Sequence, residues 1–259
     1  AGRYEQAVSY YRQAVDRNPG FSQALNNLGT ALRHLRRFSE SEAALQEAVR
    51  LNPASAGYRN NLGAACLSRG KTRDAIACFE KAVSLDPQFI QARASLGTAL
   101  KEAGRIDEAL AVFDQGLALA PGHPALHWNR ALALLMKGDF EAGWEAYEWR
   151  FKSEHSRPVS FRSPVWQGED LTGRTICVHC EQGVGDTFMF ARYLKGIQER
   201  GGRVLFKCPE GTEAFFGHQP CVDELMLPGA SLQVENFDVQ IPLLSLARVF
   251  HTRMDTIPD

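Results

Sequence analysis

Four stretches decide the fold: NNLGTAL at 26–32, NNLGAAC at 60–66, ASLGTAL at 94–100 and WNRALAL at 128–134. Each begins 34 residues after the one before. Pro19, Pro53, Pro87 and Pro121 keep that interval, and so do Gly29, Gly63 and Gly97, with Ala131 in the fourth place. Gly2, Gly70, Gly104 and Gly138 mark a third position of the frame, which Arg36 fills once. The period predicts a helix–turn–helix unit. Gly29, Gly63 and Gly97 let the paired helix approach closely, Ala48, Ala82 and Gly116 do the same from the second helix, and the proline ends the unit. One unit cannot bury its own apolar face, so the units stack into a solenoid.

The totals fit such a chain. The 259 residues suffice for one large domain or two ordinary ones. Hydrophobic residues make up 44% and charged residues 23%, a globular balance. A net charge of −1 gives no general attraction to nucleic acid or an anionic membrane. No apolar run approaches the roughly 18–20 residues of a membrane span. The polar opening AGRYEQAVSYYRQ lacks the apolar centre of a secretory signal, so a cytoplasmic location is expected.

Residues 1–152 resemble the tetratricopeptide repeat (TPR) family, with four repeats from about residue 22 preceded by the second helix of another. That leading half-repeat carries the expectation that the chain starts inside a larger protein. The last unit departs from the pattern. Its second helix, FEAGWEAYEWRF, gathers Trp144, Tyr147, Trp149 and Phe151, and His155 stands where the closing proline is due. Those aromatics are expected either to dock against the following domain or to thicken the repeat's own core.

In a stack of this kind the first helices line the concave face. Asn26 and Asn27, Asn60 and Asn61, Ala94 and Ser95, and Trp128 and Asn129 precede the small position. Asparagine is a poor helix former, so its recurrence calls for a reason. A ladder of Asn27, Asn61 and Asn129, with Ser95 in the gap, would offer a donor and an acceptor at each step to an extended peptide. Such a ladder resembles the superhelical repeats attached to protein O-glycosyltransferases. The alternative is that these amides link neighbouring repeats.

From Ser153 to Gly173 the helical period dissolves into a linker or packed connecting segment. RTICVHC then reads as a strand, EQGVGD as a turn and DTFMFARYLKGIQERGG as a helix. RVLFKCP, VDELMLPG and FDVQI read as further strands, with short helices at GTEAFFGHQ and PLLSLARVF. Strands alternating with helices predict a mostly parallel, Rossmann-type sheet over 174–259. Of the six cysteines, Cys66 and Cys78 read as small core residues. Cys177 and Cys180 form a CxxC within a strand, where three residues apart means opposite faces and a poor metal site. His179 between them reads as structural.

EQGVGD at 181–186 is the second motif with chemistry in it. Its glycines expose backbone N–H groups beside a helix start, at the carboxyl end of the first strand. A dinucleotide fingerprint would want glycine at residue 188, which is Phe188, and an acid closing the second strand, where Cys208 and Pro209 stand. Asp186 could simply cap its helix. A third reading comes from resemblance. PVWQGEDLTGRTICVHCEQGVGDTFMFARYL, the upstream GDFEAGWEAYEWRF and the downstream FDVQIPLLSLARVFHTRMDTIP look like bacterial proteins that fuse TPR arrays to a heptosyltransferase-like family 9 glycosyltransferase of GT-B fold.

That resemblance implies an α-solenoid followed by a partial α/β Rossmann-like domain, the N-terminal half of a GT-B enzyme. It makes Asp186 the general base, with Gln182, Gly183, Gly185 and Thr187 shaping the acceptor side, Glu181 orienting the loop, and Arg192 a surface charge or an anion contact. It implies a nucleotide-sugar donor as substrate, no metal and no cofactor, and a protein or peptide held by the repeats. The second Rossmann domain, which supplies most of the donor site in such enzymes, is not in these residues, so they are expected to be inactive alone. The rival reading is a non-catalytic TPR scaffold whose α/β module caps the array.

Overall fold

A computed structural model describes residues 2–152, 161–226 and 236–258. The chain divides into two compact units, Ala1–Lys137 and Gly138–Asp259. The first contains α1 (Gly2–Arg17), α2 (Ser22–His34), α3 (Phe38–Leu51), α4 (Ala56–Ser68), α5 (Thr72–Leu85), α6 (Ile90–Glu102), α7 (Ile106–Leu119) and α8 (Pro124–Lys137). Each helix packs on the next, and the first helices α2, α4, α6 and α8 also touch in series.

The small residues do what their spacing predicts. A Cβ on Gly29 would lie 2.5 Å from Leu45 Cγ, and one on Gly63 would lie 2.6 Å from Phe79 Cε1. On Gly97 it would fall inside the Phe113 ring's contact distance, and on Gly116 it would come within 2.9 Å of Leu126 Cδ1. Ala48 and Ala82 are fully buried. Helix pairs therefore close to backbone-limited distance, with Leu45, Phe79 and Phe113 filling the space that glycine leaves. Ser41 Oγ adds a bond to the Gly29 carbonyl at 2.6 Å. Between the first two repeats, buried Glu42 accepts from Arg69 at 2.6 Å and Lys71 at 2.7 Å, both in the α4–α5 turn. Those two cations hold the Glu42 carboxyl below its usual range against the opposing effect of burial.

Gly70 and Gly104 end their helices with φ of +73° and +76°, and Arg36 takes the same left-handed turn at φ 60°. A side chain is strained there, whereas glycine is not. Arg36→Gly is therefore expected to raise the array's stability by up to about 1 kcal/mol, the relief of strain exceeding glycine's extra unfolded entropy. A higher urea midpoint at unchanged slope checks it.

The second unit begins with α9 (Phe140–Tyr147) and a 3-10 turn at Glu148–Lys152. Counted with the fourth repeat by period alone, α9 belongs here because its aromatics pack on the α/β core: the Trp144 ring meets Phe190 edge-on at 5.8 Å. Four strands follow, β1 (Thr175–His179), β2 (Arg203–Lys207), β3 (Glu224–Leu225) and β4 (Val239–Pro242), all parallel in the order β3-β2-β1-β4. Between them lie α10 (Val184–Phe190), α11 (Leu194–Gln198) and α12 (Glu213–Phe216), with α13 (Leu246–Val249) after β4. The long helix expected after the turn is thus broken, by a 3-10 stretch at Ala191–Tyr193. Parts of the expected linker (153–160) and third strand (227–229) lie outside the described residues.

The sheet is buried on both faces, which explains its near-continuous apolar strands. Ile176, Val178, Val204, Phe206 and Ile241 join Leu194, Ile197 and Leu246 in the main core. Cys177, Leu205 and Phe237 face the other way. Cys180 packs on the main core, so the CxxC pair does straddle the sheet. The described part of the connecting segment is packed. Trp166 is fully buried, its backbone N–H donates to the Gln240 carbonyl at 2.8 Å, its indole N–H donates to Glu169 O at 2.9 Å, and Val165 bridges Gln240 in parallel.

Candidate functional site

Two places carry the residues singled out by sequence. The first lies in the repeat array, where α2, α4, α6 and α8 leave a groove of about 470 Å³. Ala64, Leu67, Ala94 and Ala125 give it an apolar surface, and Ser68, Gln91, Ser95, Thr98 and Asn129 supply hydrogen-bonding groups. Thr98 Oγ1 bonds its own helix at Ala94 O, 2.8 Å. Asn129 donates to Ala125 O at 2.9 Å and accepts from Lys101 Nζ at 3.3 Å. Burial pulls the Lys101 ammonium pKa down.

Ser95 and Asn129 are brought together in this groove; Asn27 and Asn61 do not line it. Asn61 donates to Asn26 Oδ1 at 2.9 Å, and Asn26 donates to Asn27 Oδ1 at 3.2 Å. These amides form a chain between α2 and α4, which is the linking role. Asn27 and Asn61 are thus engaged by neighbouring amides, while Ser95 and Asn129 line the groove of the later repeats. Sequence reasoning passed over Asn26, which helical phase buries at the centre of that chain.

The second place is the turn after β1. Gly183 precedes α10 in an extended conformation, φ −66° and ψ 166°. Gln182, Gly183 and Gly185 are exposed, and Asp186 is half-buried in the first turn of the helix. A Cβ on Gly185 would meet nothing within 4 Å, and one on Gly183 only Asp186 Oδ2 at 3.8 Å. Neither glycine has a positive φ, so neither packing nor backbone geometry requires glycine at these positions. What their bare backbones provide is room above the turn. Thr187 faces inward instead: it is buried, and its hydroxyl donates to Gly183 O at 3.2 Å, which fixes the turn rather than lining its surface. Arg192 is exposed and donates to Pro258 O at 3.1 Å.

Glu181 is anchored by a residue the sequence reading missed. Arg150, buried in the 3-10 turn after α9, donates to Glu181 Oε1 at 2.9 Å, Ser245 Oγ at 2.6 Å, Glu148 Oε1 at 2.7 Å and Tyr147 O at 3.2 Å. Its guanidinium also stands 4.0 Å from the Phe151 ring centre. Ser245 in turn donates to Glu148 Oε1 at 2.9 Å. Burial raises the Glu181 carboxyl pKa, and Arg150 opposes it. Burial also raises the Tyr147 phenol, with Arg150 lowering it and the Asp186 charge adding to the rise. The signal in the sequence was an arginine inside an aromatic run, EWRF, which buries only when a carboxylate meets it. Beneath the turn, His179 Nε2 lies 2.8 Å from Gln240 Oε1, and burial takes its pKa down to about 4, so it stays neutral.

Among the described residues no helix is long and apolar enough to cross a membrane. Two tetratricopeptide repeat family models match, one over residues 1–56 and 29–88 and the other over 67–135. Protein FlbA of Caulobacter vibrioides is 40% identical over 89 residues, covering 32% of this chain and 15% of that protein. The chain thus spans a small part of that relative's length. Among solved structures, MamA aligns over 58% of this chain and 88% of its own at 20% identity and a TM-score of 0.53. YrrB, described as a TPR protein with an unusual peptide-binding site, aligns over 58% of this chain and 78% of its own at 21% identity and a TM-score of 0.50. A thermophilic TPR protein of Thermus thermophilus aligns over 59% and 84% at 21% identity and a TM-score of 0.51. At these identities the likeness is one of fold.

Proposed function

The chain belongs to the tetratricopeptide repeat family through residues 1–135, and on that premise we propose that its array is a scaffold holding an extended peptide segment of a protein partner. The observation that carries this is the groove along the first helices, where apolar floor alternates with Gln91, Ser95 and Asn129. An extended chain leaves backbone N–H and C=O groups on both edges, and side chains with donors and acceptors can pair them with little regard for its sequence. Ser95→Leu with Asn129→Leu is expected to weaken binding of the captured partner's segment about tenfold or more while far-UV circular dichroism stays unchanged. Undiminished affinity in that variant would place the partner elsewhere.

A second reading concerns the α/β unit: in its parent protein it forms the acceptor side of a sugar-transfer site. Three observations favour it. The parallel order β3-β2-β1-β4 is compatible with the start of a doubly wound sheet, a fold whose ligands gather at the carboxyl ends of the strands. The glycines after β1 leave open space that folding does not explain, and a half-buried carboxylate borders it. In this reading Asp186 accepts the proton of an acceptor hydroxyl as that oxygen attacks the anomeric carbon of a nucleotide-activated sugar, while the bond from that carbon to the phosphate oxygen breaks and the nucleotide leaves with the electron pair. A carboxylate is a weak base towards an alcohol, so in this reading proton transfer comes late, after the sugar carbon has become strongly electrophilic. Asp186→Asn in the full-length parent protein is expected to abolish transfer with no change in melting temperature. Normal turnover by that variant would remove Asp186 from the chemistry.

A further inference from the structure

Cys180 and Cys208 stand at the carboxyl ends of β1 and β2 as free thiols, and neither reading above uses them. The two strands run parallel with His179 opposite Lys207, and the Cys180 N–H continues the ladder by donating to Lys207 O at 3.2 Å. That register makes the next pair, Cys180 and Cys208, lateral neighbours. Both side chains leave the same face of the sheet, because both pack on the core that holds Val178 and Phe206. Cys208 is buried, whereas Cys180 is partly open, next to the glycine turn that leaves room above it. Burial pushes the Cys180 thiol up to about 12, against a smaller opposing hydrogen bond from Thr187.

The spacing selects what can join the two sulfurs. Neighbouring strands lie about 4.8 Å apart, and side chains at matched positions leave the sheet side by side. A disulfide wants Cβ atoms about 3.8 Å apart, which would draw the strands together. Two metal–sulfur bonds of about 2.3 Å in line span about 4.6 Å, close to the strand spacing. Among the described residues no three His, Cys, Asp or Glu side chains are placed to hold one ion, so a tetrahedral ion such as zinc lacks its ligands. A soft monovalent cation is satisfied by two thiolates.

We propose that Cys180 and Cys208 together bind one copper(I) ion in line between their sulfurs. Both S–H bonds break, two S–Cu bonds form and two protons pass to solvent, with no change of oxidation state. The ion competes with those protons, so its affinity rises with pH. Once bound, it ties the ends of β1 and β2 together directly below the turn at 181–186.

The test uses the whole 259-residue protein, fully reduced, with its cysteines labelled with 13C at Cβ. Copper(I) is added without oxygen, with bathocuproine disulfonate as the competing chelator. At one equivalent the Cβ resonances of Cys180 and Cys208, assigned through the single alanine variants, are expected to move together. Those of Cys66 and Cys78, the neighbouring thiols of the repeat array, are expected to stay in place. Cys180→Ala with Cys208→Ala is expected to lower the copper(I) affinity about a hundredfold or more, and Cys66→Ala with Cys78→Ala to leave it unchanged. X-ray absorption of the one-to-one complex is expected to show two sulfurs on the ion. Cys180 and Cys208 resonances that do not move in the wild-type protein overturn the proposal, whatever the variants do. A third sulfur on the ion, or undiminished affinity in the first double variant, overturns it as well.

Discussion

Replacing Gly97 with valine is expected to destabilise the repeat array by about 3 kcal/mol or more. The added atoms would enter the space already filled by the Phe113 ring, and Phe113 is fully buried. The ring has no open side to move into, so α6 and α7 must separate. That in turn loosens their packing on α5 and α8. The first repeat pairs its glycine with Leu45 instead, so a smaller partner is compatible with the frame. Gly97→Val with Phe113→Leu should therefore recover part of the loss, a coupling visible in a double-mutant cycle by urea denaturation. Gly185→Ala is the contrast: it meets nothing within 4 Å and should leave the fold unchanged. A Gly97→Val array as stable as wild type would mean that the helix pairs are not packed at the distance described.

Arg150→Met should cost the second unit about 3–5 kcal/mol, because it strips the counter-charge from Glu181, whose side chain is only 10% exposed. Arg150→Lys should restore little. A single ammonium cannot reproduce the separate bonds to Glu148, Glu181 and Ser245. The sign of the pH dependence distinguishes this from lost packing. Burial already raises the Glu181 pKa in the folded state, and removing Arg150 raises it further. A carboxyl with a raised folded pKa binds its proton more readily folded than unfolded, so the variant's deficit shrinks as pH falls through that value. Hydrogen exchange of the β1 and β2 amides should show a larger deficit at about pH 8 than at about pH 5. An equal deficit at both would assign the loss to packing alone.

Much of the array was legible because its constraints are local and repeated. The glycines at 29, 63 and 97 recur at one interval, and each meets the side chain expected from the partner helix. The turn glycines were legible for the same reason, including Arg36 in their place. The parallel strands showed as short apolar runs between turns, and the opposite-facing CxxC followed from strand alternation alone. What period could not reveal was pairing between elements far apart in sequence. Asn26 and Asn27 are adjacent, and only the packed pair of α2 and α4 shows that Asn61 reaches the first of them. The repeat pattern also carried α9 into the array, whereas Trp144 and Arg150 commit that segment to residues 181–250. Trp166 had no periodic signal because it lies in an irregular segment, placed by backbone bonds to Gln240 and by packing of its ring on Phe250 and Arg200.

In the proposed function a partner segment lies along the first helices between Ser95 and Asn129. A photoreactive phenylalanine placed at residue 95, with a second protein carrying it at exposed Glu80 on α5, tests this directly. Irradiation of the partner-bound protein, followed by mass spectrometry of the joined peptides, should give one contiguous partner segment from residue 95 and none from residue 80. Joining at residue 80 alone, with the partner still bound, would contradict the account and move recognition to the outer face of the array.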